Sequence, residues 1–150
     1  MNNTRFIVAG YVESIVDQIE HVIDYLYENP ETSSKETKSS DFIKSILSDE
    51  GFKISSEVAG IKNSFIASYG NSKPKIAYIC EYNAAEGLGH AYGHNVSSGI
   101  NMGAGIGLKR IVDEIGGTVL VIGCPSEDLS STKITMLNNG TFNEVDAVIC

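Results

Sequence analysis

The chain has 150 residues, 42% hydrophobic and 20% charged, with a formal net charge of -8 at pH 7. That length supports one globular domain with a real core, and the negative balance excludes the basic face that a nucleic-acid backbone requires. No apolar run is long enough to span a bilayer, and residues 1–10, with one basic residue and a very short apolar segment, make a poor signal peptide. The expectation is a cytoplasmic protein with neither membrane nor nucleic acid among its partners.

Between Tyr11 and Glu28 the apolar residues Val12, Ile15, Val16, Ile19, Val22, Ile23 and Leu26 recur at helical spacing, which predicts one helix stopped by Asn29-Pro30. Ser33 to Glu36 has the form of a capping box, ahead of a second helix that presents Phe42, Ile43, Ile46 and Leu47 and ends at Gly51. Strands are predicted over residues 52–58 and 63–69, and over 75–80 after the turn Gly70-Asn71-Ser72-Lys73-Pro74. Residues 96–115 read as a helix whose small face, Gly99, Gly103 and Gly107, permits close packing, and Gly116-Gly117 breaks it. A β-branched buried strand follows over 118–123, then a short helix over 132–137, a turn at Asn138-Asn139-Gly140 and a last buried strand over 145–150.

Helices first, then strands alternating with helices, predict an α/β fold: a partly parallel mixed sheet with helices on both faces. The chain stops inside an apolar strand, an unusual end for a domain. That points to a truncated or split gene or an imposed boundary. It would leave a sheet edge and an apolar face open to self-association. Cys80, Cys124 and Cys150, odd in number and in apolar settings, predict reduced buried thiols rather than a disulfide framework.

The chemistry-bearing residues cluster after two buried strands. Residues 81–95 hold Glu81, Glu86, His90 and His94 among Gly87, Gly89 and Gly93, and Glu127-Asp128 follow the strand over 118–123. In open α/β sheets that edge is where ligands bind. Imidazole and carboxylate together suit a borderline divalent metal such as zinc or manganese, and adjacent acids can divide the work between ligand and general base. The bland alternatives are helix capping for Glu127-Asp128 and a hydrogen-bonded loop for His90 and His94. The run Gly103-Ala104-Gly105-Ile106-Gly107 lacks the G-x-G-x-x-G spacing and lies inside a helix pattern, so it reads as packing and no nucleotide cofactor is expected. Cys80 and Cys124 sit in buried strands, where a thiol is inert. His21, flanked by acids on a helix, is assigned no role.

Several of these segments, taken together and in order, resemble the motifs of one family. They are Asn29-Pro30-Glu31 with Glu36, Gly51-Phe52, Glu81-Tyr82-Asn83-Ala84, Gly89-His90-Ala91-Tyr92-Gly93-His94-Asn95, Pro125-Ser126-Glu127-Asp128 and the run from Lys133 to Val145. The family is the amidohydrolase branch of the acetylornithine deacetylase, succinyl-diaminopimelate desuccinylase and carboxypeptidase G metallopeptidases, with hippurate, auxin-conjugate and p-aminobenzoyl-glutamate hydrolase relatives. The resemblance implies that residues 1–150 are the N-terminal part of a zinc-dependent exopeptidase-like catalytic domain, incomplete and without its lid and dimerisation domain. It implies divalent metals, zinc or manganese, and a water that hydrolyses the amide of N-acyl amino acids or small peptides.

Carried over by position, Glu127 is the general base, and His94 and Asp128 are metal ligands, with Asp128 replacing the usual Glu. Asn83 stands where the family has a supporting Asp, and Tyr92 where this branch has a metal-binding Cys. A phenol keeps its proton to about pH 10 and is a weaker ligand than a thiolate. Asn83 removes a charge, and Asp128 is a methylene shorter. The family draws further ligands from later segments. Two expectations stand: a metal-dependent amidohydrolase that is incomplete as this chain, or a degenerate relative acting in binding or subunit assembly.

Overall fold

The computed structural model describes residues 2–126 and 132–150. Its centre is a five-stranded sheet in the order β1-β2-β4-β3-β5. The strands are β1 Lys53–Ser56, β2 Phe65–Gly70, β3 Lys75–Cys80, β4 Thr118–Gly123 and β5 Ala147–Ile149. β1 with β2 and β2 with β4 are antiparallel, and β3 is parallel to both β4 and β5. A parallel pair needs a crossover, and β3 and β4 are joined by the long helix α4, His94–Ile115; the helices before it are α1 Asn2–Ser14, α2 Val16–Glu28 and α3 Thr37–Asp49. The expected α/β class, partly parallel with helices on both faces, is what the chain adopts.

Side chains alternate along each strand, as the pleat requires. Phe65, Ala67, Cys80, Val119 and Val121 enter a core with Val22, Leu26, Ile43, Leu47, Met102 and Ile106 from α2, α3 and α4. Ala77, Ile79 and Ile122 point the other way and meet Cys124 and Met136, the latter on the short helix α5, Thr132–Asn138. The glycine face of α4 does what close packing demands. A Cβ on Gly103 would stand 2.3 Å from Ile19 Cδ1, and one on Gly107 2.4 Å from Val12 Cγ2, so α1 and α2 lie directly against the α4 backbone. The packing reading of the glycine run holds.

Several boundaries differ from expectation. The first helix begins at Asn2 and is two helices, because Ile15 leaves helical geometry at φ -111° and ψ 15°; the apolar spacing continues across the break and hides it. Ser33 to Glu36 is not a capping box. No side chain of the N-cap residue Glu36 caps α3. Instead the Glu31 carboxylate accepts the amides of Lys38 at 3.2 Å and Ser39 at 2.7 Å, which satisfies the open first turn from outside the helix. β5 is not buried but an exposed edge strand, with Val148 48% accessible, and Cys150 is exposed while Cys80 and Cys124 are buried. No helix among the described residues is long and apolar enough to cross a membrane.

Candidate active site

β3 and β4 end side by side, with Cys80 opposite Gly123. The Cys124 amide donates to the Cys80 carbonyl at 2.8 Å, so the ladder runs one residue further and residues 81 and 125 leave the sheet as neighbours. α4 is tied to the same edge. The Asn101 side-chain Nδ2 donates to the Ile79 carbonyl at 2.6 Å and the Ser98 hydroxyl to the Glu81 carbonyl at 2.5 Å. The glycines of the intervening loop serve its turns: Gly87, Gly89 and Gly93 all hold positive φ, and Gly93, at 77°, is the N-cap of α4.

His94 is therefore the first residue of α4, facing the strand exits. Its Nδ1 lies 2.9 Å from the Asn83 carbonyl oxygen. A carbonyl only accepts, so Nδ1 carries a proton, and in the neutral tautomer that this contact selects the lone pair lies on Nε2. Nε2 is 3.9 Å from Glu81 Oε2, and the other Glu81 oxygen is ion-paired with the Lys133 ammonium of α5. Backbone support of this kind orients a metal-ligating histidine. The described residues thus fit one imidazole ligand, not a full coordination sphere: no group of three or more His, Cys, Asp or Glu side chains among them could hold a metal ion.

No protein-family model matches the chain. Over 147 residues it is 35% identical to a p-aminobenzoyl-glutamate hydrolase subunit of Escherichia coli strain K12, covering 85% of this chain and 31% of that protein. Over 78 residues, 49% of this chain and 18% of the other, it is 35% identical to the Xaa-Arg dipeptidase of Mus musculus. It superposes on a dinuclear metal binding peptidase of the M20 family from Bacillus subtilis with a TM-score of 0.79 and 24% identity, over 91% of this chain and 42% of that one. The chain is a homologue of the first two enzymes and shares the fold of an M20 peptidase. It spans about a third of the length of the E. coli relative.

The structure brings Asn83, Tyr92 and His94 together between the β3 exit and the first turn of α4. Asn83 is closed to solvent and contributes through its main chain; Tyr92 is 63% exposed, with its ring 5.8 Å from the His94 ring. Glu127 and Asp128 lie outside the described residues. His90 is buried against the Leu26 main chain. Burial, and after it the charge of His94, holds its pKa below the ordinary imidazole value. Burial pushes the Cys80 thiol far up, and its Sγ lies 3.6 Å from the Ser98 carbonyl oxygen, an inert setting.

Sequence reasoning gave Lys133 and Glu36 no role at the site. Lys133 was one letter in a matched run, and it proves to neutralise Glu81. Glu36 is closed to solvent, and its Oε1 accepts the Ser126 amide at 2.7 Å. Burial raises its pKa, an effect that the Ser126 hydrogen bonds oppose. Only its place in the matched early segment could have drawn attention to it.

Proposed function

We propose that the chain carries part of a divalent-metal amidohydrolase site, acting on the amide bond of N-acyl amino acids or dipeptides. The observation that carries this reading is His94, locked through Nδ1 by the Asn83 carbonyl and presenting Nε2 at the shared exit of β3 and β4. The names of the relatives, p-aminobenzoyl-glutamate hydrolase and Xaa-Arg dipeptidase, supply the substrate class. In this reading residues 1–150 are the N-terminal part of the catalytic domain, and further ligands come from polypeptide beyond it.

His94 and Asp128 would hold the metal, zinc or manganese. A bound divalent metal supplies an acidified water and a polarised carbonyl. Glu127 would take the proton of the attacking water and return it to the leaving amine. Lys133 holds the Glu81 carboxylate neutralised beside the imidazole. Tyr92, which is exposed, and Asn83 are degenerate site positions in this reading, Tyr92 standing where the related branch has a metal-binding Cys. The protein is expected in the cytoplasm. Its exposed β5 edge gives it a surface for self-association or for a further chain, in keeping with an E. coli relative that is itself one subunit of a hydrolase.

Elemental analysis tests this after purification without chelator and dialysis against zinc and manganese. Stoichiometric metal that is lost in His94→Ala and in Asp128→Ala is the expected result. A wild-type protein without bound metal would turn the reading toward the non-catalytic one.

A further inference from the structure

The segment between α2 and α3 touches both loops of the candidate site. The Glu31 carbonyl accepts the amide of Ala84, next to Asn83, at 2.7 Å, and Thr32 pairs with Ala84 as an isolated parallel bridge. Five residues on, Glu36 Oε1 accepts the Ser126 amide at 2.7 Å and lies 3.3 Å from the Ser126 hydroxyl. Ser34 closes the same contact, its amide donating to Ser126 Oγ at 2.6 Å. Ser126 directly precedes Glu127 in the chain. It holds φ at 57°, a conformation that a residue other than glycine keeps only where its surroundings fix it.

A carboxylate in this place is costly for folding. Glu36 is closed to solvent, burial raises its pKa, and its Oε2 has no hydrogen-bond partner among the described residues. An apolar side chain of similar volume would serve stability as well or better. What Leu could not do is accept the Ser126 amide.

We propose that Glu36 is a positioning residue: it fixes the left-handed conformation of Ser126, the residue before the candidate base Glu127, while Glu31 pins the loop that orients His94. The segment 31–36 is then a clasp between the two strand exits, holding Ala84 after β3 and Ser126 after β4. The proposal rests on the functional reading above for the roles of Glu127 and Asp128, but not for the contact itself.

The test uses the 150-residue chain as wild type, Glu36→Leu and Glu36→Gln, with amide hydrogen exchange and Co²⁺ titration followed by visible absorption. In wild type the Ser126 amide exchanges slowly; fast exchange there overturns the proposal before any variant is made. In Glu36→Leu the Ser126 amide exchanges at least about ten-fold faster and Co²⁺ binds at least about ten-fold more weakly, the loss of one charge-assisted hydrogen bond. Amides of β3 and β4 stay protected in that variant. Glu36→Gln, which keeps an acceptor, stays near wild type in both readouts.

Wild-type Ser126 protection and Co²⁺ affinity in Glu36→Leu overturn the proposal, as does loss in Glu36→Gln equal to that in Glu36→Leu. A structural role alone would lower stability in Glu36→Leu and leave the Co²⁺ affinity of the folded fraction unchanged. If wild type binds no Co²⁺, the metal reading fails by itself, and Ser126 exchange still decides on the clasp.

Discussion

On one face of the sheet, Phe65, Ala67, Cys80 and Val121 lie under α2, α3 and α4 and are closed to solvent. On the other, Ala77, Ile79 and Ile122 are also closed, but among the described residues the cover is the seven-residue α5 with Phe142, Val145, Val58 and Ile61. Ile134, Leu137 and Val148 remain 58%, 57% and 48% accessible there, around a cavity of about 330 Å³ that Phe142 and Cys150 also line. The same strands feed both faces with apolar residues in strict alternation. What differs is the number of layers above them. Strand pattern assigns a side chain to a face, whereas burial depends on what the rest of the polypeptide places over that face.

The contrast can be broken most sharply at its closed side. Phe65 is fully buried and stacked 6.2 Å from Tyr82. Phe65→Ala is expected to cost about 3–5 kcal/mol in chemical denaturation; a cost below about 1 kcal/mol would mean that this face is loosely packed after all. Gly103→Val should come next, at about 1–3 kcal/mol, since its side chain must displace Ile19. The open face should answer differently. Ile134→Ser with Leu137→Ser is expected to change stability by less than about 0.5 kcal/mol per site, yet to reduce self-association in sedimentation velocity. A large loss of stability would show that α5 is core rather than rim.

The smallest effect concerns Glu36. Its folded pKa is raised, so its contribution to stability is full below the ordinary carboxyl range and falls as pH rises through the folded value. The stability of Glu36→Gln relative to wild type should therefore increase between acid and neutral pH. A difference independent of pH would remove buried charge as the cause.

Legibility followed the range over which each signal acts. β3 and β4 match their expected bounds to the residue, because dense apolar runs there are closed by Lys73-Pro74, Gly116-Gly117 and the polar residues after each strand. The break at Ile15 left no local mark, since Val12, Ile15 and Ile19 all sit on the side facing the core. β5 reads as buried from composition and is exposed in place, because nothing within residues 145–150 encodes a cover. At the site the histidine loop was conspicuous, being short and chemically dense. The contacts that hold it were not. Glu31 reaches Ala84 across 53 residues and Glu36 reaches Ser126 across 90, and no window of periodicity connects such positions.

The sheet order also imposes a schedule. β4, the strand that lies between β2 and β3, is fourth along the chain. As the polypeptide emerges from a ribosome, the β1–β2 hairpin and the first helices have what they need to form early. β2 and β3 then stand on either side of an empty slot, each with a row of unpaired amides and carbonyls, until Gly123 is free. Insertion of β4 closes both ladders at once and seats α4 on the sheet. Pulse-labelling exchange during refolding should find amides of β2, β3 and β4 becoming protected together, after those of α2 and α3.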